Sequence, residues 1–334
     1  MKIKLFTHTD LDGVGCAVLA NLAFRSWSVD VEYCDYSNAD KKVSDYICTR
    51  EWKKYDRTYI TDISISDDLA IIINELNDQY NVRLFDHHKT AEYLNEYDWC
   101  EVRVNDTLSK AKTCGTAIFF RHLIDLECFV DFNPKRINNI VRFVKIVRAY
   151  DTWKWTELGD EGIVCKQVND LFYIYGREKF IRWITRQIHI YVDPSNIGLN
   201  CNGCYFPDFS EDDKAVLEQK QKEIEVYVDE KNSQLIRKID ESGYVYGTVF
   251  AERYFSELGN RLCKLHPDMD YVVLIDISKG KVSYRTIKDN IDLGGEIAHS
   301  YGGGGHKKAA GSTFDKEMVV DSVIRIIFKN EEEA

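Results

Sequence analysis

Short apolar runs alternate with helical patterns through the first two hundred residues, the signature of strands joined by crossover helices. Residues 2–7 read as a strand and 14–24 as the helix that follows. Residues 58–63 and 81–85 read as two more strands, with a helix over 67–76 between them. Each strand runs into polar letters at its carboxyl end: Thr7-His8-Thr9-Asp10, then Thr61-Asp62, then Asp86-His87-His88. In an open parallel sheet that edge is where sites form. Over 210–240 the chain turns charged and helix-favouring, with Ser210 as N-cap and Glu211, Asp212 and Asp213 in the first turn. Its apolar residues, from Val216 and Leu217 to Leu235 and Ile239, keep helical spacing. A second α/β pattern follows: a strand at 244–251, a helix at 255–265, and a hairpin over 271–287 turned by Lys279-Gly280.

These patterns predict an α/β protein: a parallel-sheet N-terminal domain over 1–200, a linker helix over 210–240, and a smaller α/β domain over 243–330. The length, 334 residues, suits two domains. Four prolines and 19 glycines exclude collagen-like or proline-rich disordered material. The longest apolar stretches fall far short of the ~20 residues that span a bilayer, and the N-terminus lacks a signal-peptide core. A cytoplasmic location is therefore expected, with the ten cysteines reduced. The formal charge of −11 disfavours a protein that wraps long duplex nucleic acid. A dinucleotide or short oligonucleotide needs only a local positive patch or bound metal ions.

The candidate chemistry sits at the strand ends. His8, Asp10 and Asp12, followed by Gly13, place three ligand-type side chains within five residues, which suits Mg²⁺ or Mn²⁺. A polar turn with a helix-capping Asp would carry the same letters. Asp62 and Asp151 are unremarkable alone, whereas the adjacent histidines after Asp86 are unusual outside metal or phosphate sites. Together His8, Asp10, Asp12, Asp62, His87 and Asp151 are enough for two metals if one carboxylate bridges. Later in the chain Gly302, Gly303, Gly304, Gly305 and His306 form a run whose backbone N–H groups can approach a phosphate, with a flexible loop as the plain alternative. The lone Cys201-x-x-Cys204 pair reads as a turn rather than a zinc site. Thr113-Cys114-Gly115-Thr116 reads as a helix cap.

The order of these motifs resembles the DHH phosphoesterase superfamily with its C-terminal DHH-associated domain, over residues 3 to about 314. The His-Thr-Asp-Leu-Asp-Gly start, at residues 8–13, is most similar to the nanoRNase B-type oligoribonuclease branch. The resemblance implies a two-metal hydrolase, with Mn²⁺ preferred and Mg²⁺ or Co²⁺ as substitutes. His8, Asp10 and Asp62 would hold one ion; Asp12, Asp62, His87 and Asp151 would hold the other, with Asp62 bridging. Asp86 would fix an imidazole, His88 would face the substrate phosphate, and Arg285 with Gly302 to His306 would bind substrate. The implied activity is a phosphodiesterase releasing nucleoside 5′-monophosphates from very short RNA oligonucleotides or dinucleotides, with no membrane partner and with a homodimer as an admissible assembly. The same chemistry on cyclic mono- or dinucleotides or on 3′-phosphoadenosine 5′-phosphate is the alternative. An inactive nucleotide-binding regulator is the alternative of a different class, and the filled ligand positions disfavour it.

Overall fold

A computed structural model describes residues 1–189 and 206–328, and the chain divides into two units, Met1–Leu217 and Glu218–Ala334. The Cys201–Cys204 pair lies outside the described residues.

In the first unit, strands β1 (Ile3–His8), β2 (Val29–Cys34), β3 (Arg57–Thr61), β4 (Val82–Asp86) and β5 (Cys100–Val102) form a parallel sheet in the order β2-β1-β3-β4-β5. Alternation along each strand divides its side chains between the faces. Ile3, Leu5, Tyr59 and Phe85 face one core, made with helices α1 (Leu11–Phe24), α4 (Gly115–Asp125), α5 (Pro134–Asp151), α6 (Asp160–Tyr175) and α7 (Arg177–His189). Phe6, Ile60 and Leu84, their sequence neighbours, face the other, made with α2 (Ala39–Cys48) and α3 (Asp67–Tyr80). Both faces are covered, which is why consecutive residues of β1, β3 and β4 are buried instead of alternating with exposed ones. The order reverses between β1 and β3, so the carboxyl ends of β1, β3 and β4 border the switch point where such sheets bind ligands.

Helix α8 (Glu211–Ser233) opens on a reciprocal cap. Ser210 Oγ accepts from Asp213 N at 3.1 Å, while Asp213 Oδ2 accepts from Ser210 N at 2.8 Å and from its hydroxyl at 2.7 Å. Leu217 belongs to the core of the first unit, and Ile224, Tyr227 and Val228 to that of the second. The helix stops at Ser233, short of the expected 240. Residues Ile236–Ile239 instead form β6, paired antiparallel with β7 (Val245–Phe250). Leu235 and Ile239 happen to continue the helical spacing, and the tertiary pairing overrides it.

The second unit carries a mixed sheet in the order β10-β11-β9-β8-β7-β6, with β8 (Tyr271–Asp276), β9 (Lys281–Arg285), β10 (Gly304–His306) and β11 (Ala309–Thr313). Helix α9 (Phe255–Leu265) connects the parallel pair β7 and β8. The β8–β9 hairpin turns at Gly280, whose φ of 60° favours glycine. The glycine run is not a loop throughout. Gly304 to His306 are the edge strand β10, and the amides of Gly302 and Gly303 are spent on the carbonyls of His299 and Ala298. Glycine is needed there for close approach: a Cβ on Gly303 would lie 2.2 Å from the Gly311 carbonyl oxygen.

Candidate metal centre

The first turn after β1 is built around a missing side chain. A Cβ on Gly13 would lie 2.2 Å from the His8 carbonyl oxygen, so only glycine lets α1 start this close to the strand. Asp10 caps α1, its Oδ1 accepting from Asp12 N and Gly13 N at 3.1 Å each. The capping reading of this turn is therefore correct for one oxygen of Asp10. Its other oxygen, Oδ2, lies 3.0 Å from His8 Nδ1. Capping and ligation are compatible because they use different oxygens.

Asp62 follows β3 with a φ of 55°, a conformation Asp adopts more readily than most residues. Its side chain is 1% exposed. Its two oxygens face different histidines: Oδ1 is 3.2 Å from His87 Nε2 and Oδ2 is 3.9 Å from His8 Nδ1. At the end of β4, the fully buried Asp86 accepts from His87 N at 2.8 Å and from His88 Nδ1 at 2.7 Å, both through Oδ1. His87 also lies 3.6 Å from Asp12 Oδ2 and, through Nδ1, 3.7 Å from Asp151 Oδ2 at the end of α5. The structure thus gathers all eight expected residues of this unit. They form three overlapping groups of ligand atoms within 4.8 Å: His8, Asp10 and Asp62; Asp12, His87 and Asp151; Asp62, Asp86, His87 and His88.

Sequence reasoning missed how Asp12 is held. The backbone amides of Gly115 and Thr116, at the start of α4, donate to its two carboxylate oxygens at 2.6 and 2.8 Å, and the Thr116 hydroxyl donates to its carbonyl at 2.6 Å. Residues 113–116 do begin a helix, but its N-cap is Cys114, which makes no side-chain cap. Asp12 supplies that function from across the fold, at the positive end of the helix dipole. Gly115 also lets Asp62 approach the start of α4, since a Cβ there would meet the Asp62 side chain at 2.6 Å. Tyr36 was missed too. Its hydroxyl lies 2.8 Å from His88 Nε2, so His88 is engaged at both ring nitrogens.

The electrostatics call for a cation. Burial, then the charges of Asp12 and Asp10, push Asp62 well above the usual carboxylate range, and the same causes act on Asp151. Burial lowers His87. Burial also opposes the charged form of His88, but the Asp86 carboxylate outweighs it and raises the imidazole. His8 Nδ1, Asp62 Oδ2, Asp86 Oδ2 and His87 Nε2 are buried without a hydrogen-bond partner among the described residues. Buried polar atoms of this kind are costly unless something completes them. Carboxylate oxygens and imidazole nitrogens converging in one place suit Mn²⁺ or Mg²⁺, so the donor set fits divalent ions.

The expected substrate-binding residues lie in the second unit. Arg285 and His306 both stand opposite Ala309 in register, on either side of β11, and so share a face of the sheet. The Arg285 guanidinium is oriented by the Tyr284 carbonyl at 2.8 Å and Ser256 Oγ at 3.2 Å, while its buried Nε has no hydrogen-bond partner among the described residues. Its stem packs where a Cβ on Gly259 would otherwise lie, 2.5 Å away. Ser256 was not singled out in the sequence.

No family model matches the chain. It is 33% identical over 316 residues to oligoribonuclease NrnB of Bacillus subtilis (strain 168), a match covering 94% of this chain and 73% of that protein. Several solved structures share its fold. The DHH domain of a member of a family of ribosomal proteins has a TM-score of 0.58 at 13% identity, covering 98% of this chain and 87% of that one. The exonuclease RecJ bound to manganese has a TM-score of 0.55 at 14% identity, with 97% and 89% covered. Its strand-end carboxylates and histidines gather in one place, and by its likeness to NrnB the chain belongs to the NrnB-type oligoribonucleases of the DHH phosphoesterases, metal-dependent hydrolases of phosphodiester bonds.

Proposed function

We propose that the protein is a Mn²⁺-dependent oligoribonuclease that hydrolyses very short RNA and dinucleotides to nucleoside 5′-monophosphates. The observation that carries this reading is Asp62: buried, and aiming each oxygen at a different histidine. That is the arrangement a bridge between two ions needs. His8, Asp10 and Asp62 would hold one ion, and Asp12, Asp62, His87 and Asp151 the other. When bound, two divalent ions make hydroxide available near neutral pH and offset the charge that builds on the phosphoryl oxygens. Asp86 holds His88 by Nδ1, and the imidazole would face the substrate phosphate by its Nε2 edge, beside the Tyr36 hydroxyl, rather than bind a metal. Arg285 and the segment from Gly302 to His306 would bind a substrate phosphate or terminal nucleotide. NrnB is itself named an oligoribonuclease, and the RecJ structure contains manganese.

The net charge of −11 favours short substrates over long duplexes, since the acidic surface offers little to an extended phosphate backbone. None of the described helices is long and apolar enough to cross a membrane, and we place the protein in the cytoplasm. Turnover of dinucleotides, 5-mers, 24-mers and cyclic nucleotides, measured with Mn²⁺, tests the reading. Dinucleotides and 5-mers should lead the panel. A preference for the 24-mer would overturn it, and exclusive turnover of a cyclic nucleotide would move the same chemistry to another substrate.

A further inference from the structure

Beside the carboxylates and imidazoles stands one residue with no place in the hydrolytic scheme so far. Tyr36 follows β2 by two residues, in a turn pinned at several points. Asp35 N donates to Asn38 Oδ1 at 3.0 Å, the Asp35 carbonyl accepts from the amides of Asn38 and Ala39, and Asp35 Oδ1 accepts from the Thr9 hydroxyl at 3.1 Å. The position of the tyrosine is thereby tied to the same turn that carries His8 and Asp10. Its hydroxyl meets His88 Nε2, and its ring centroid is 4.9 Å from that of His8 and 5.6 Å from that of His88, edge-on to the latter. Yet the residue is 59% exposed. The polar end is used and much of the aromatic surface is left to solvent.

We propose that Tyr36 is a substrate-positioning residue: its hydroxyl fixes the His88 imidazole from the side opposite Asp86, and its exposed ring is the platform on which a nucleobase beside the scissile phosphate stacks. The inference rests on the oligonucleotide reading given above and extends it. Asp86 alone would hold His88 at Nδ1 and leave the ring able to swing about that bond; a second contact at Nε2 removes the freedom. The rest of the centre presents carboxylates and imidazoles, which recognise metal and phosphate. An open phenol ring suits the flat, uncharged part of a nucleotide. Stacking tolerates every base because each has a π face, so the contact fits an enzyme that degrades short fragments regardless of sequence.

Steady-state kinetics of the Mn²⁺-loaded full chain on pApA, and on pApA lacking either adenine in turn, separates the two roles. Tyr36→Phe keeps the ring and loses the hydroxyl. It should lower kcat about 10-fold, the effect of one hydrogen bond, and leave KM within about twofold. Tyr36→Ala and Tyr36→Leu lose the π face as well. Both should also raise KM for pApA about 10- to 100-fold, and that rise should vanish on one of the two abasic substrates. An equal rise on both abasic forms, or an unchanged KM for pApA, would overturn the stacking role. An unchanged kcat in Tyr36→Phe would overturn the positioning of His88. Wild-type protein inactive on pApA would instead overturn the substrate reading, a result distinct from either.

Discussion

Two buried aspartates in the first unit make opposite use of the same side chain. Asp213 is 3% exposed and receives hydrogen bonds from the Tyr175 hydroxyl, from Trp183 Nε1 at 3.2 Å, and from the Ser210 amide and hydroxyl. Burial pushes its carboxyl up, but those donors outweigh burial and hold it below the usual range. Asp62 is buried as deeply, has one oxygen with no hydrogen-bond partner among the described residues, and is pushed the other way. The protein completes the first carboxylate by itself and leaves one oxygen of the second without a hydrogen-bond partner among the described residues. Burial of an acid is therefore no sign of function; incompleteness is the discriminating property.

The sharpest break of this contrast is Asp62→Asn. Loss of the proposed bridging charge should lower phosphodiesterase activity by about 10³ or more, and metal-free thermal stability should not fall, because an unrelieved buried charge has been removed. Asn tolerates the left-handed backbone at this position, so the fold should survive. Retention of a tenth of wild-type turnover at saturating Mn²⁺ would show that Asp62 is not the bridge. Asp213→Asn should do the reverse: full activity, with chemical denaturation showing a loss of about 1–3 kcal/mol from mismatched donors.

Metal titration widens the same contrast. Mn²⁺ at 100 times its Kd should stabilise the wild-type fold by about 2.7 kcal/mol, seen as a rise in Tm. The Asp213→Asn protein should show the same gain and Asp62→Asn much less. Equal gains in all three would place the ion elsewhere.

Arg285 extends the comparison to the second unit, since it too has a buried atom without a hydrogen-bond partner among the described residues. Arg285→Ala should leave the Mn²⁺-induced rise in Tm intact and weaken dinucleotide binding roughly 10- to 100-fold. A collapse of the metal response would mean that the residue supports the centre rather than the substrate.

The smallest expected effect concerns pH. Because the folded carboxyl of Asp213 is depressed, its stabilisation is fully present above the unfolded value of ~3.9 and is lost as pH falls through the folded value. The stability gap between wild type and Asp213→Asn should therefore be constant near neutrality and close below about pH 4. A gap that persists at pH 2 would point to packing rather than charge.

How far these distinctions could be read from the sequence depended on distance along the chain. His8 to Gly13 and Asp86 to His88 are local clusters at strand ends, and the parallel sheet that unites them follows from alternating patterns. The clamp on Asp12 was invisible because Gly115 and Thr116 are 103 and 104 residues away and look like an ordinary helix start. Tyr36 was hidden among 20 tyrosines. Strand β6 was lost to apolar residues whose spacing suits a helix equally well. The glycine run was ambiguous for a related reason: glycines that let a backbone approach a phosphate also let it pack against its own neighbours, as Gly303 does against Gly311.

The wide sequence span of the centre has a consequence for how the protein matures. His8 lies near the start of the chain and Asp151 at the end of α5, with the helix that clamps Asp12 between them. Contacts of such long separation form late and slowly, because loop closure must be completed before they yield any stabilisation. During synthesis at ~5–20 residues per second, the turn carrying His8, Asp10 and Asp12 leaves the ribosome several seconds before Asp151 does. Until Asp151 emerges the nascent chain therefore carries an incomplete set of the expected ligands with no means of closing it. Tight metal capture should then require the folded first unit, and arrest of translation ahead of α5 should yield a chain that binds Mn²⁺ only weakly.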